Sequence, residues 1–130
     1  VKERPIQILF DAYIEGFALI PYQRMTGPGR FTKRAQRYLK NRESLAWCFR
    51  QEANKQYLYE AITTPCILSF NVHRSTRRRC DLDNLCKAIS DALQSARIIE
   101  NDNLIVGIDG ARLFYDGKDR VVVSLRDASS

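Results

Sequence analysis

Cys66-Ile-Leu-Ser-Phe-Asn-Val-His73 runs directly into Arg74-Ser-Thr-Arg-Arg-Arg-Cys-Asp-Leu-Asp-Asn-Leu-Cys-Lys87, and the period of its apolar residues changes on the way. Cys66, Leu68, Phe70 and Val72 alternate with Ile67, Ser69, Asn71 and His73, the pattern of a strand. Pro65 suits the first residue of that strand, where a missing N–H does little harm. Further on, Leu85, Ala88, Ile89, Ala92, Leu93 and Ala96 fall on one helical stripe. Asp83 is read as the N-cap of this helix, which is expected to run from Asn84 to about Ala96. A strand therefore hands over to an amphipathic helix through a short, strongly basic link.

Upstream, Ile6, Ile8 and Phe10 alternate within a first strand over Pro5 to Ile14. Gly16 to Arg30, with Pro21, Gly27, Pro28 and Gly29, is a long loop. Thr32 can cap a long amphipathic helix reaching about Gln56, with Ala35, Tyr38, Leu39, Ala46, Phe49 and Ala53 on its apolar side. Lys33, Arg34 and Arg37 fall between those positions, either as a solvated face or as a DNA-facing one. Downstream, Ile98 to Asn103 is a polar turn carrying Glu100 and Asp102. Leu104 to Tyr115 reads as a strand with a bulge near Gly107 or Gly110. Asp116 to Asp119 reads as a hairpin turn, Arg120 to Arg126 as the returning strand, and Asp127 to Ser130 as a frayed tail. The order β-α-β-α-β-β predicts an α+β fold, a small mixed sheet packed against two helices, in a single domain over residues 1–130.

The net charge of +6 and pI of about 9.4 favour a polyanionic partner. Clustering strengthens this: one basic block runs from Arg30 to Arg42, another from Arg74 to Arg79. No run of eighteen or more apolar residues is present, so no membrane span is expected, and Val1 to Pro5 lacks the apolar stretch of a secretory signal. Cys48, Cys66, Cys80 and Cys86 show no C-x-x-C spacing, and with His73 they make a poor zinc site. They read as reduced thiols of a cytoplasmic protein. His73 reads as a strand-end histidine, because nothing nearby marks it as a poised base.

Four arginines, Arg74, Arg77, Arg78 and Arg79, lead into Asp81 and Asp83. Arginines can hold an anionic backbone, and paired carboxylates can hold a hard cation at the bond to be cut. In an extended segment, residues i and i+2 point the same way, so Asp81 and Asp83 are expected to converge while Leu82 turns to the core. Oxygen ligands select Mg²⁺, or Mn²⁺ in its place, rather than zinc. Asp102 is a candidate third ligand. Lys87 projects within roughly 40° of Asp83 on the polar side of the helix, where it could offset phosphate charge. On spacing alone, the acidic pair is equally a helix cap, and Lys87 equally an i,i+4 ion-pair partner.

The wider pattern closely resembles the signature of the RusA family of Holliday junction resolvases. The matching residues are Arg77-Arg-Arg-Cys-Asp-Leu-Asp-Asn-Leu-Cys-Lys-Ala88, then Asp91-Ala-Leu93 and Asn101-Asp102, within about Arg74 to Leu104. The resemblance implies a homodimeric, Mg²⁺-dependent endonuclease that resolves four-way DNA junctions by paired symmetric nicks. It carries metal-binding catalytic roles to Asp81, Asp83 and Asp102, the catalytic lysine to Lys87, and orientation of a carboxylate to Asn84. Arg74, Arg77, Arg78 and Arg79, with Lys33, Arg34 and Arg37, are the expected DNA contacts. Asp91 also matches the signature, as an ion-pair partner. Three departures stand out: Asn101 replaces the first Asp of a D-D pair, Arg97 lies where a glycine is common, and Phe10 to Arg30 replaces a Pro- and Asn-rich segment. A nuclease of flaps or forks would use the same residues. A non-catalytic nucleic-acid-binding module would need the basic blocks but not the carboxylates.

Overall fold

The computed structural model of the chain describes residues 5–24 and 32–129. Its elements are β1 (Ile8–Glu15), α1 (Lys33–Lys55), β2 (Cys66–His73), α2 (Leu82–Ser95), a 3-10 turn (Asp102–Leu104), β3 (Ile105–Phe114) and β4 (Arg120–Asp127). The fold is α+β, with a four-stranded mixed sheet and two helices, as the periodicities predict. The part of the long loop at 25–31 lies outside the described residues, as does Ser130 of the expected tail.

Each helix begins and packs as its sequence dictates. Thr32 caps α1, its hydroxyl oxygen accepting from the amide of Ala35 at 3.1 Å. Ala35, Tyr38, Leu45, Ala46, Phe49 and Ala53 are the buried face of α1. Phe49 meets Phe10 of β1 edge to face, with ring centroids 5.8 Å apart. The whole predicted stripe of α2 is buried, from Leu85 to Ala96. On the sheet, Phe10, Leu68, Val72, Val123 and Leu125 face the same core. Burying side chains of this size contributes about 1.5–3 kcal/mol each.

The strand order is β1-β4-β2-β3. β4 lies antiparallel between β1 and β2, and β3 pairs with β2 in parallel. The expected β3–β4 hairpin is therefore corrected. The chain does reverse at 115–119, with Gly117 at φ +79, but the returning strand crosses to the far side of β2. β4 carries Val121, Val123 and Leu125 fully or almost fully buried, and a central position covers them better than an edge would. The bulge in β3 is present as two register shifts against β2, between Cys66 and Ile67 and between Leu68 and Phe70, the second near Gly110 with φ +93. On the opposite edge, the Gln56 side chain bonds both backbone groups of Asp11, at 3.3 and 2.6 Å, and blunts the free side of β1. Among the described residues, no helix is long and apolar enough to cross a membrane.

Candidate functional site

α2 begins two residues earlier than an Asp83 cap would have it. Asp81 is the N-cap, extended at φ −82 and ψ 139, and makes no side-chain capping bond. Asp83 sits inside the first turn. This changes the geometry of the acidic pair, because residues two apart on a helix point about 200° apart rather than the same way. Leu82, expected in the core, is 41% exposed. Asp81 and Asp83 accordingly face different cavities.

Asp81 opens on a cleft of about 1070 Å³. Six arginines line it: Arg24, Arg34, Arg37, Arg74, Arg78 and Arg79. Two distant basic blocks thus meet, one from the first turns of α1 and one from the link after β2. Arg74 differs from the others. It is nine-tenths buried, and its guanidinium donates to the carbonyl of Arg78 at 3.0 Å and to Cys80 Sγ at 2.8 Å, so it braces the link. Asp119 holds the start of that link, accepting from the amide and hydroxyl of Ser75 at 2.9 Å each. Asn84 lines the same cleft, and its backbone carbonyl accepts from the amide of Tyr22 at 3.0 Å. Lys33 and Arg77 are exposed and do not line the cleft.

On the other flank of the same helical turn, Asp83, Lys87 and Asp102 line a second cavity of about 440 Å³, floored by Ile105 to Ile108 of β3. Asp102 reaches it because the 3-10 turn is pinned: its amide donates to Gln94 Oε1 at 2.9 Å, and Asn101 caps the turn through Asn103. Lys87 Nζ lies 3.3 Å from Asp102 Oδ2 and 3.0 Å from Asp91 Oδ1. Asp91, and Asp102 to a lesser degree, hold the Lys87 ammonium above its usual range, so it is a fixed positive charge at neutral pH. Burial pushes the neighbouring Cys86 thiol up, which keeps it protonated and inert.

These are an arginine-lined cleft and a carboxylate–lysine cavity on either side of one helix end. The family model described as Endodeoxyribonuclease RusA matches residues 22–126. The chain belongs to the RusA family. A RusA relative, the crossover junction endodeoxyribonuclease RusA of Aquifex aeolicus (strain VF5), is 29% identical over 79 residues, 61% of this chain and 63% of the relative. The matched part of this chain thus spans under two thirds of that relative's length.

Within this RusA-family fold, the local signals for Asp83, Lys87 and Asp102 lead to one cavity, whereas Asp81 and Asn84 lie on the arginine side. Among the described residues, no three His, Cys, Asp or Glu side chains gather closely enough to hold a metal ion together. The donors still fit a hard cation in kind, since Asp83 and Asp102 offer oxygen only. They also fit in number, because Mg²⁺ commonly takes one or two carboxylates and keeps places for water and phosphate. His73 is the strand-end residue expected: it lies 2.6 Å from Asp116 and stacks on Phe114 at 4.6 Å. Sequence reasoning missed Gln94 and Asp119, whose polar side chains carried no periodic signal.

Proposed function

We propose that the chain is a single-domain, Mg²⁺-dependent endonuclease of the cytoplasm that resolves four-way DNA junctions by paired symmetric nicks. The observation that carries this reading is the meeting of Asp83, Lys87 and Asp102 on one cavity, one helical turn from a cleft with six arginines. Family membership supports it.

Asp83 and Asp102 would hold the cation, which Mn²⁺ could replace, while Asp81, the expected third ligand, lies on the arginine flank beside the phosphates. Bound there, a divalent cation would supply water activation and offset charge on the attacked phosphate. Lys87 adds a fixed positive charge for the phosphate or the leaving oxygen. Arg34, Arg37, Arg78 and Arg79 grip neighbouring phosphates, Arg74 shapes their loop, and Lys33 and Arg77 make outlying contacts. Asn84 orients Asp81 within the cleft.

A four-way junction presents two symmetry-related strands, and the described residues of one chain bring Asp83, Lys87 and Asp102 to one cavity. A two-fold homodimer supplies the second and doubles the +6 charge facing the DNA. Nicking of synthetic junction, fork, flap and duplex DNA, with Mg²⁺ and with chelator, tests the function. Paired nicks in the junction alone, lost with chelator, are expected. Preference for flaps or forks would move the chain to another branched-DNA nuclease, and binding without metal-dependent cleavage would make it a binding module. Sedimentation at micromolar concentration tests the dimer, and a monomer that still resolves the junction would exclude it.

A further inference from the structure

We propose that Tyr38 and Asp91 are positioning residues that hold the Lys87 ammonium in place from the protein core. The inference rests on the nuclease reading for its consequence, but not for its geometry. Asp91 uses both carboxylate oxygens: Oδ1 lies 3.0 Å from Lys87 Nζ, and Oδ2 accepts from the Tyr38 hydroxyl at 2.9 Å. Tyr38 is fully buried on α1, fifty-three residues away in sequence from Asp91. A buried phenol needs a partner for its hydroxyl, and among the described residues that partner is Asp91.

An ordinary i,i+4 pair on a helix surface is weak and leaves both side chains free to turn. This pair differs because one partner is clamped by a second helix. With Oδ2 held by a buried hydroxyl, Asp91 can present Oδ1 in one direction only, toward Lys87. The ring of Tyr22 lies 5.9 Å from Lys87 Nζ and packs edge to face on Tyr38 at 5.6 Å, closing a third side. The ammonium is therefore set beside Asp102 before any DNA arrives, and its charge acts without first being ordered. Arg34 and Arg37 lie just before Tyr38 on the same helix, so the helix that grips phosphate also carries the brace.

Tyr38→Phe removes the hydroxyl and keeps the ring, and Asp91→Asn removes the charge and keeps the shape. In DNA-free protein, the Lys87 ammonium ¹H–¹⁵N signal, assigned through Lys87→Arg, is expected to lose its protection from water exchange in both variants, with the other lysines unchanged. Single-turnover cleavage at saturating junction is expected to fall about 10- to 100-fold, the range for an outer partner of a catalytic group. Junction Kd is expected to hold within about twofold, since neither residue lines the arginine cleft. In a Lys87→Ala background, Tyr38→Phe is expected to cost nothing further. An unchanged Lys87 signal in folded Tyr38→Phe overturns the proposal, as does an equal rate loss with and without Lys87. If wild-type protein fails to cut any junction, the nuclease reading falls, and the ammonium signal still decides the brace.

Discussion

The two flanks of the α2 N-terminus are built in opposite ways. In the arginine cleft, charge is carried by long side chains, and among the described residues only Arg74 is tied down, by Arg78 and Cys80. In the carboxylate cavity, almost every group is cross-braced: Lys87 by Asp91 and Asp102, Asp91 by Tyr38, and the backbone of Asp102 by Gln94. A phosphate backbone can be gripped by a field of adaptable charges, whereas bond cleavage needs groups held within a fraction of an ångström. On the proposed function, loose charge holds the DNA and braced charge serves the chemistry.

Neutralising the rigid side should do the most damage. Asp83→Asn, or Asp102→Asn, is expected to cut the cleavage rate by at least about 10²-fold while leaving junction affinity equal or tighter. Gel-shift and single-turnover assays on the same preparation check this, and near-normal turnover would break the comparison. Asp81→Asn sharpens it: loss of rate at constant affinity assigns Asp81 to the chemical side, and a change in affinity alone assigns it to the cleft.

The loose side should respond in salt dependence rather than in rate. Replacing Arg78 and Arg79 with Ala is expected to lower the log–log salt slope of junction binding by about 0.9 for each phosphate that is no longer neutralised. Arg77→Ala, outside the cleft, should lower it less. An unchanged slope in the Arg78 and Arg79 variants would place those guanidiniums in intramolecular bonds.

Two smaller effects concern the supports of each flank. Arg97 ends α2 in the left-handed region, at φ +57, where the residues leading to Asp102 leave the helix. Arg97→Gly should relieve that strain and stabilise the protein by up to about 1 kcal/mol, read as a rise in Tm. A fall in Tm would show that the Arg97 side chain contributes more than its backbone costs. At the end of β2, the hydrogen bond from His73 holds the Asp116 carboxyl below its ordinary range. Its contribution is then present above the unfolded carboxylate pKa and lost as pH falls through the lower folded value. Asp116→Asn should slightly lower Tm near neutrality and converge with wild type in acid. A gap that persists in acid would mean that the carboxylate charge is not the cause.

The helices were legible because their signals are local. Thr32 and the stripe from Leu85 to Ala96 need only neighbours within a turn or two to be read. Asp83 and Lys87 were placed on one face by the same arithmetic, and they share a cavity. Asp81 was misplaced because its direction depends on where α2 begins, and the helix starts at Leu82 rather than Asn84. A boundary error of two residues turned a converging pair into a divided one.

By itself, the sequence determined the element types, the basic clustering, the family signature and the apolar stripes. Each depends on spacing within a few residues, where backbone geometry leaves little choice. Tertiary structure decided the rest. β4 entered between β1 and β2 because its buried valines and leucine gained cover there, which no turn composition reveals. Arg34 and Arg37 joined Arg78 and Arg79 only when α1 packed against α2 and the sheet. Tyr38 found Asp91 across fifty-three residues by the same packing, which is how a position read as plain core comes to hold the lysine of the candidate site.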